Sequence, residues 1–89
     1  MLPMATLVGM ATLRLFASVR EAAGTKSASF RADTVEAVIA AATEQYGPVF
    51  AELVPTCRIW VNGEPALPTD AVSHEDEVAL LPPVSGGAL

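Results

Sequence analysis

One stretch of this chain has the length and spacing of a full amphipathic helix. Val35, Val38, Ile39, Ala42 and Tyr46 recur three or four residues apart and so share one stripe. Asp33-Thr34-Val35-Glu36 has capping-box spacing, with Asp33 as the expected cap and Glu36 reaching back. Gly47 is the expected C-terminal cap, and Pro48 prevents the helix from continuing. The runs on either side alternate with the period of strands. The expectation is one main helix laid across one face of a sheet.

In residues 11–17, Leu13 and Leu15 fall on one face and Thr12, Arg14 and Phe16 on the other. Residues 18–24 read as a loop carrying Arg20 and Glu21, with Gly24 as its turn residue. Residues 25–30 are a weaker, more polar run suited to an edge strand, joined to the first as an antiparallel hairpin. Residues 49–54 suit one short helical turn. Residues 56–62 form a strand with Cys57, Ile59 and Val61 on one face and Arg58, Trp60 and Asn62 on the other. Asn62-Gly63 is a strong turn signal. Residues 67–72 read as irregular or as a short edge segment. Ser73-His74-Glu75-Asp76 reads as a polar turn, and a lone His74 there is expected to be solvated. The last strand, residues 77–81, stops at Pro82-Pro83, because two prolines remove two backbone donors.

At 89 residues the chain has room for one small core. Its net charge of −5 argues against nucleic acid or an anionic membrane and favours a basic surface on another protein. The single cysteine, Cys57, excludes an internal disulfide and cannot alone build a thiolate metal site, which agrees with a reducing cytoplasm. Cys57 alternates with core positions and reads as a small buried hydrophobe. No apolar run is long enough to cross a bilayer. Residues 1–9 are apolar without the positive start of a secretory signal, and Met10 is a second start-like methionine. The expected division is an N-terminal extension of no assigned role, a domain over residues 10–83, and a tail over residues 84–89. No phosphate-binding glycine loop, nucleophile elbow or pair of catalytic carboxylates is present.

The order strand, strand, helix, strand, short strand, strand resembles the α+β β-grasp (ubiquitin-like) fold, a mixed sheet over one main helix. That fold places the first and last strands at the centre, with the third beside the last. Leu13, Leu15, Ile59, Val61, Val78 and Leu80 then fill the helix side, and Phe16, Trp60 and Leu81 point to the other. A contiguous group of large apolar side chains there is an expected docking patch.

The tail, Val84-Ser85-Gly86-Gly87-Ala88-Leu89, sets two glycines beyond the double proline. Lacking Cβ atoms, they suit a narrow channel; taken alone, the dipeptide reads rather as an ordinary frayed terminus. Three segments carry a closer resemblance. Leu13 to Gly24, Val61-Asn62-Gly63, and Asp76 through Pro82-Pro83-Val84-Ser85-Gly86-Gly87 are similar to the small subunit of molybdopterin synthase, the ubiquitin-like sulfur carrier of molybdenum cofactor biosynthesis. The double proline distinguishes this signature from the usual thiamine-pathway carrier.

The resemblance implies that Gly87 is adenylated by an E1-like adenylyltransferase using ATP and then converted to a thiocarboxylate by a sulfur donor. Gly86 is the passage residue into the large synthase subunit. Phe16, Trp60, Leu81 and Pro83 are the implied docking residues, with Arg20 and Glu21 as further candidates. No cofactor is held by the chain itself. Ala88-Leu89 departs from the family pattern, since an internal carbonyl at Gly87 is no carboxylate; a protease that removes the dipeptide would expose one. Service in another sulfur pathway (thiamine or cysteine), protein modification through lysine isopeptides, and binding through the sheet face alone stay open.

Overall fold

The computed structural model describes residues 10–83. Nine short elements follow one another: β1 (Met10–Leu15), α1 (Ala17–Ala23), β2 (Ser27–Arg31), α2 (Val35–Tyr46), α3 (Pro48–Leu53), a 3-10 turn (Val54–Thr56), β3 (Arg58–Val61), β4 (Glu64–Pro65) and β5 (Glu77–Leu81). The five strands form one sheet in the order β2-β1-β5-β3-β4. β1 pairs antiparallel with β2 and parallel with β5, and β3 pairs antiparallel with both β5 and β4. This is the mixed β-grasp sheet expected from the sequence, with the first and last strands at its centre.

The central register puts Leu13 opposite Val78 and Leu15 opposite Leu80. All four side chains are buried on one face, where Val35, Val38 and Ala42 of α2 and Phe50 of α3 cover them. Ile39 and Tyr46, at the margins of the stripe, are half-buried. Tyr46 stacks edge-on to Phe30, with ring centroids 6.2 Å apart, and lies 5.2 Å from Phe50. Its hydroxyl is enclosed with no hydrogen-bond partner among the described residues, and burial pushes its pKa up.

Three local expectations are corrected. Residues 18–24 are not a loop: residues 17–23 form α1, which buries Val19 and ends at Gly24 with φ 77°. Gly24 donates its backbone N–H to the Arg20 carbonyl, the left-handed closure that glycine makes readily. The helix-forming run Arg-Glu-Ala-Ala ahead of a glycine was the available signal. Secondly, α2 is capped by Thr34, whose hydroxyl accepts from the Ala37 N–H at 3.1 Å, and not by Asp33. Asp33 accepts instead through its backbone carbonyl from Val72 N–H, which ties the connection before β5 to the helix start. Thirdly, β1 ends at Leu15, so Phe16 is the residue preceding α1 and not a strand residue.

Smaller adjustments follow the same pattern. The short edge strand is Glu64–Pro65, directly after the Asn62-Gly63 turn, while residues 67–72 contribute only a single bridge, Ala71 to Thr34. His74 is exposed, yet its Nδ1 accepts from the Met10 N–H at 3.3 Å. Cys57 is half-buried, with its thiol 3.4 Å from the Leu53 carbonyl.

One polar clasp joins β3 to β5. Asn62, at φ 50°, accepts from Glu77 N–H through its side-chain oxygen at 2.9 Å and donates from Nδ2 to Asp76 Oδ1 at 3.0 Å. Asp76 Oδ2 also accepts from the Ser73 N–H at 2.8 Å. The Asn62 hydrogen bond, and after it that of Ser73, holds the Asp76 carboxyl below the ordinary aspartate value. A carboxylate favoured in the folded state stabilises it fully above the unfolded pKa of about 4. That contribution disappears as pH falls through the lowered folded value.

Two outcomes are expected. Leu80→Ala lowers unfolding free energy in urea by roughly 2–5 kcal/mol, the range for a fully buried leucine. Asn62→Ala lowers stability near pH 7 and flattens its decline on acidification below about pH 4, as followed by thermal melts across pH. A pH dependence unchanged by that substitution refutes the clasp.

Candidate docking face and tail exit

The sheet face turned away from the helices takes its residues from the alternate positions of each strand. Thr12, Arg14, Glu77, Ala79, Leu81, Arg58, Trp60 and Pro65 all belong to it by register. Ala79 is paired with Arg14 on one side and with Trp60 on the other, and Trp60 is paired in turn with Pro65. Leu81 is paired with Arg58. Phe16 continues the outer set of β1 just beyond the strand end. An apolar band therefore crosses the sheet from Phe16 and Leu81 through Ala79 and Trp60 to Pro65.

Exposure along the band is uneven. Phe16 is 38% exposed, whereas Trp60, Ala79 and Leu81 are half-buried in the face itself. The Arg14 guanidinium carbon lies 6.0 Å from the centre of the Phe16 ring, and Nη1 of the same side chain meets Glu77 Oε2 at 3.1 Å. Both partners of that ion pair are about half exposed, so it orients Arg14 more than it stabilises the fold. The band offers solvent a cluster of large side chains with no catalytic group among them.

Of the residues expected to dock, Phe16, Trp60 and Leu81 thus lie on one face. Pro83 is exposed just past the end of β5, with Pro82 half-buried beside it. Arg20 and Glu21 are exposed on α1 instead of in a loop. Gly86, Gly87 and the Ala88-Leu89 dipeptide lie outside the described residues. The six residues from Pro82 to Gly87 span at most about 20 Å when extended, a distance that defines how far from the face an end at Gly87 can react. Pro65 and Ala79 were absent from the expected patch; the β3–β4 and β3–β5 registers that place them are long-range pairings not written into local alternation.

The other side of β3 holds an apolar cleft of about 410 Å³ between α2 and the 3-10 turn, lined in part by Ile39, Ala40, Val54, Cys57 and Ile59. Burial pushes the Cys57 thiol up in pKa, opposed in part by a hydrogen bond with Thr56. A raised thiol is a poor nucleophile at neutral pH. Among the described residues, no group of three or more His, Cys, Asp or Glu side chains is placed to hold a metal ion. No described helix is long and apolar enough to cross a membrane.

The ThiS family profile matches residues 13–87, which takes in the sheet from the middle of β1 onward and the two glycines of the tail. The chain belongs to the ThiS family. It is a ubiquitin-like sulfur carrier of β-grasp fold. SAMP1 from Haloferax volcanii superposes with a TM-score of 0.80 at 29% identity, covering 89% of this chain and 100% of that one. A putative molybdopterin converting factor subunit 1 from Pyrococcus furiosus superposes at 0.76 with 22% identity, covering 85% and 99%. A chain of the Helicobacter pylori complex of molybdopterin-converting factor subunits 1 and 2 matches at 0.68 with 23% identity, covering 88% of this chain and 99% of that one. The last two likenesses establish the fold alone. No curated protein matches the chain by sequence.

The Cys57 environment has a measurable consequence. In the folded ThiS-family chain, Cys57 should react with a thiol-specific alkylating reagent at pH 8 several-fold more slowly than in the urea-unfolded chain. Equal rates refute the burial assignment.

Proposed function

We propose that this chain carries sulfur on the carboxylate of Gly87 and delivers it as the small subunit of a molybdopterin synthase. The observation that carries the reading is the apolar band that reaches Leu81, the last residue of β5, from which Pro82-Pro83 lead the chain into Val84-Ser85-Gly86-Gly87. Docking along the band sets a narrow, Cβ-free end within reach of a neighbouring protein's site. The double proline and the converting-factor structures sharing this fold support the choice of pathway. The large-subunit partner is supported by the Helicobacter pylori complex, in which the two subunits sit together.

The chemistry follows from the carboxylate. A carboxylate oxygen of Gly87 attacks the α-phosphorus of ATP on an E1-like adenylyltransferase, forming an acyl-adenylate and releasing pyrophosphate. Sulfur from a persulfide-type donor then adds to the activated carbonyl and displaces AMP. A second thiol then attacks the donor sulfur of the resulting acyl disulfide, forming a disulfide with the donor and releasing the thiocarboxylate. This chain contributes the acyl end and the docking face, and the partners contribute the catalytic groups. Ala88-Leu89 must be removed first, since a peptide carbonyl offers no oxygen for adenylation.

A second reading is favoured by SAMP1, a small archaeal modifier protein. The same activated Gly87 can pass to a lysine amine and form an isopeptide bond.

The chain ending at Gly87, incubated with ATP, the activating enzyme and a sulfide source, should gain the mass difference between sulfur and oxygen. The chain ending at Leu89 should not. A lysine adduct without a thiocarboxylate instead supports the modifier reading. Trp60→Ala should weaken binding to the large subunit by about 2 kcal/mol, roughly 30-fold, as titration calorimetry would read it. Unchanged affinity removes Trp60 from the docking face.

A further inference from the structure

Charge in this acidic protein is sorted along the strands. Four of its five Lys and Arg residues sit at the end of the sheet where β5 finishes. Arg58 pairs with Leu81, Arg14 lies level with Ala79, and the Lys26 carbonyl accepts from Leu15 N–H at 2.9 Å. Arg20 is on α1, which begins directly after β1. The opposite end gathers seven of the ten acids. Glu64, Asp76 and Glu77 flank the Asn62 turn, Glu75 donates its N–H to Met10, and Asp33, Glu36 and Asp70 surround the start of α2. The other three are on the helices: Glu44 on α2, Glu52 on α3, and Glu21 next to Arg20 on α1, the one acid that shares the tail end by that placement.

The cations at the tail end are largely uncompensated. Arg14 has Glu77, but Arg20, Lys26 and Arg58 have no carboxylate within 4.0 Å among the described residues. All three are exposed. Cations gathered at the end of the sheet where the apolar band meets the tail project a positive potential from an otherwise negative molecule, felt over about a Debye length of 8–10 Å in physiological salt. The net charge of −5 by itself points to a basic partner surface; the face beside the tail points the other way.

We infer that the protein that accepts the tail presents carboxylates around an apolar depression, and that the charge polarity of this chain turns its tail end toward that surface during approach. The inference rests on the docking reading above. Nucleic acid is the poorer occupant. Three cations at the tail end of the sheet, of which only Arg58 belongs by register to the face of Trp60 and Leu81, make few phosphate contacts, and the acidic end repels a polyanion.

Stopped-flow association of the full chain, and of the chain ending at Gly87, with the large subunit tests this. The association rate constant should fall about tenfold between roughly 50 and 500 mM NaCl, with a smaller change in dissociation. Lys26→Glu with Arg58→Glu should slow association at low salt by about tenfold while leaving the thermal melt unchanged, and Glu64→Lys at the far end should not slow it. Salt-independent association, or a charge-reversed chain that associates at the wild-type rate while Trp60→Ala still weakens binding, overturns the acidic-rim inference and leaves the docking reading standing. Wild-type chain that fails to bind the large subunit at either salt overturns the docking reading, and this inference with it. Retention of duplex DNA by the wild-type chain at physiological salt, lost on charge reversal, also overturns it.

Discussion

The parallel pairing of β1 with β5 is the contact on which the rest of the molecule depends. Leu15 and Leu80 face each other across a separation of 65 positions in sequence (80 minus 15) and are both buried. Closing so long a loop costs entropy before any contact is gained, and the return comes from the apolar area that the central pair buries with α2 and α3. β2 and β3 then add to the two outer edges of that pair. Because side chains alternate, a one-residue slip between β1 and β5 would expose Leu13 and Leu15 and bury Arg14. The penalty for that exchange fixes the register, and the register in turn builds the outer face.

The two faces of the sheet therefore do different work from one pattern. Helices α1, α2 and α3 occupy one face with Val19, Val35, Val38, Ala42 and Phe50. The other keeps Trp60, Ala79 and Leu81 half-buried and Phe16 exposed, a band too apolar to be a mere solvated surface. The parallel arrangement also brings the ends of β1 and β5 to the same side of the molecule. Phe16, α1 and the exit to the tail consequently share one end, while the Asn62–Asp76 clasp closes the other. A carrier needs that separation, because the surface that is recognised must lie beside the segment that reacts.

Much of this organisation is legible in residue order. Alternation at Leu13 and Leu15, the stripe from Val35 to Tyr46, and the proline stop after Leu81 each depend on neighbours within a few positions, so local stereochemistry exposes them. The misreadings share one cause. Residues 17–23 carry good helix formers but too short a run to announce a stripe, and packing of Val19 decides in favour of α1. Asp33 and Thr34 are both competent caps. Thr34 takes the role while the Asp33 backbone is engaged by Val72, a partner 39 positions away (72 minus 33).

Sequence alone determined the elements that local chemistry governs: the one long helix, the alternating strands, the proline barrier and a C-terminal pair of glycines. Tertiary structure decided which residues become neighbours. Pro65 joined Trp60 through the edge pairing, Arg58 came level with Leu81, and four cations spread from position 14 to position 58 collected at one end of an acidic protein. Local pattern encodes what a segment can be, because its forces act over a turn or two of chain. Adjacency between distant segments arises only when burial of the shared core selects a single register.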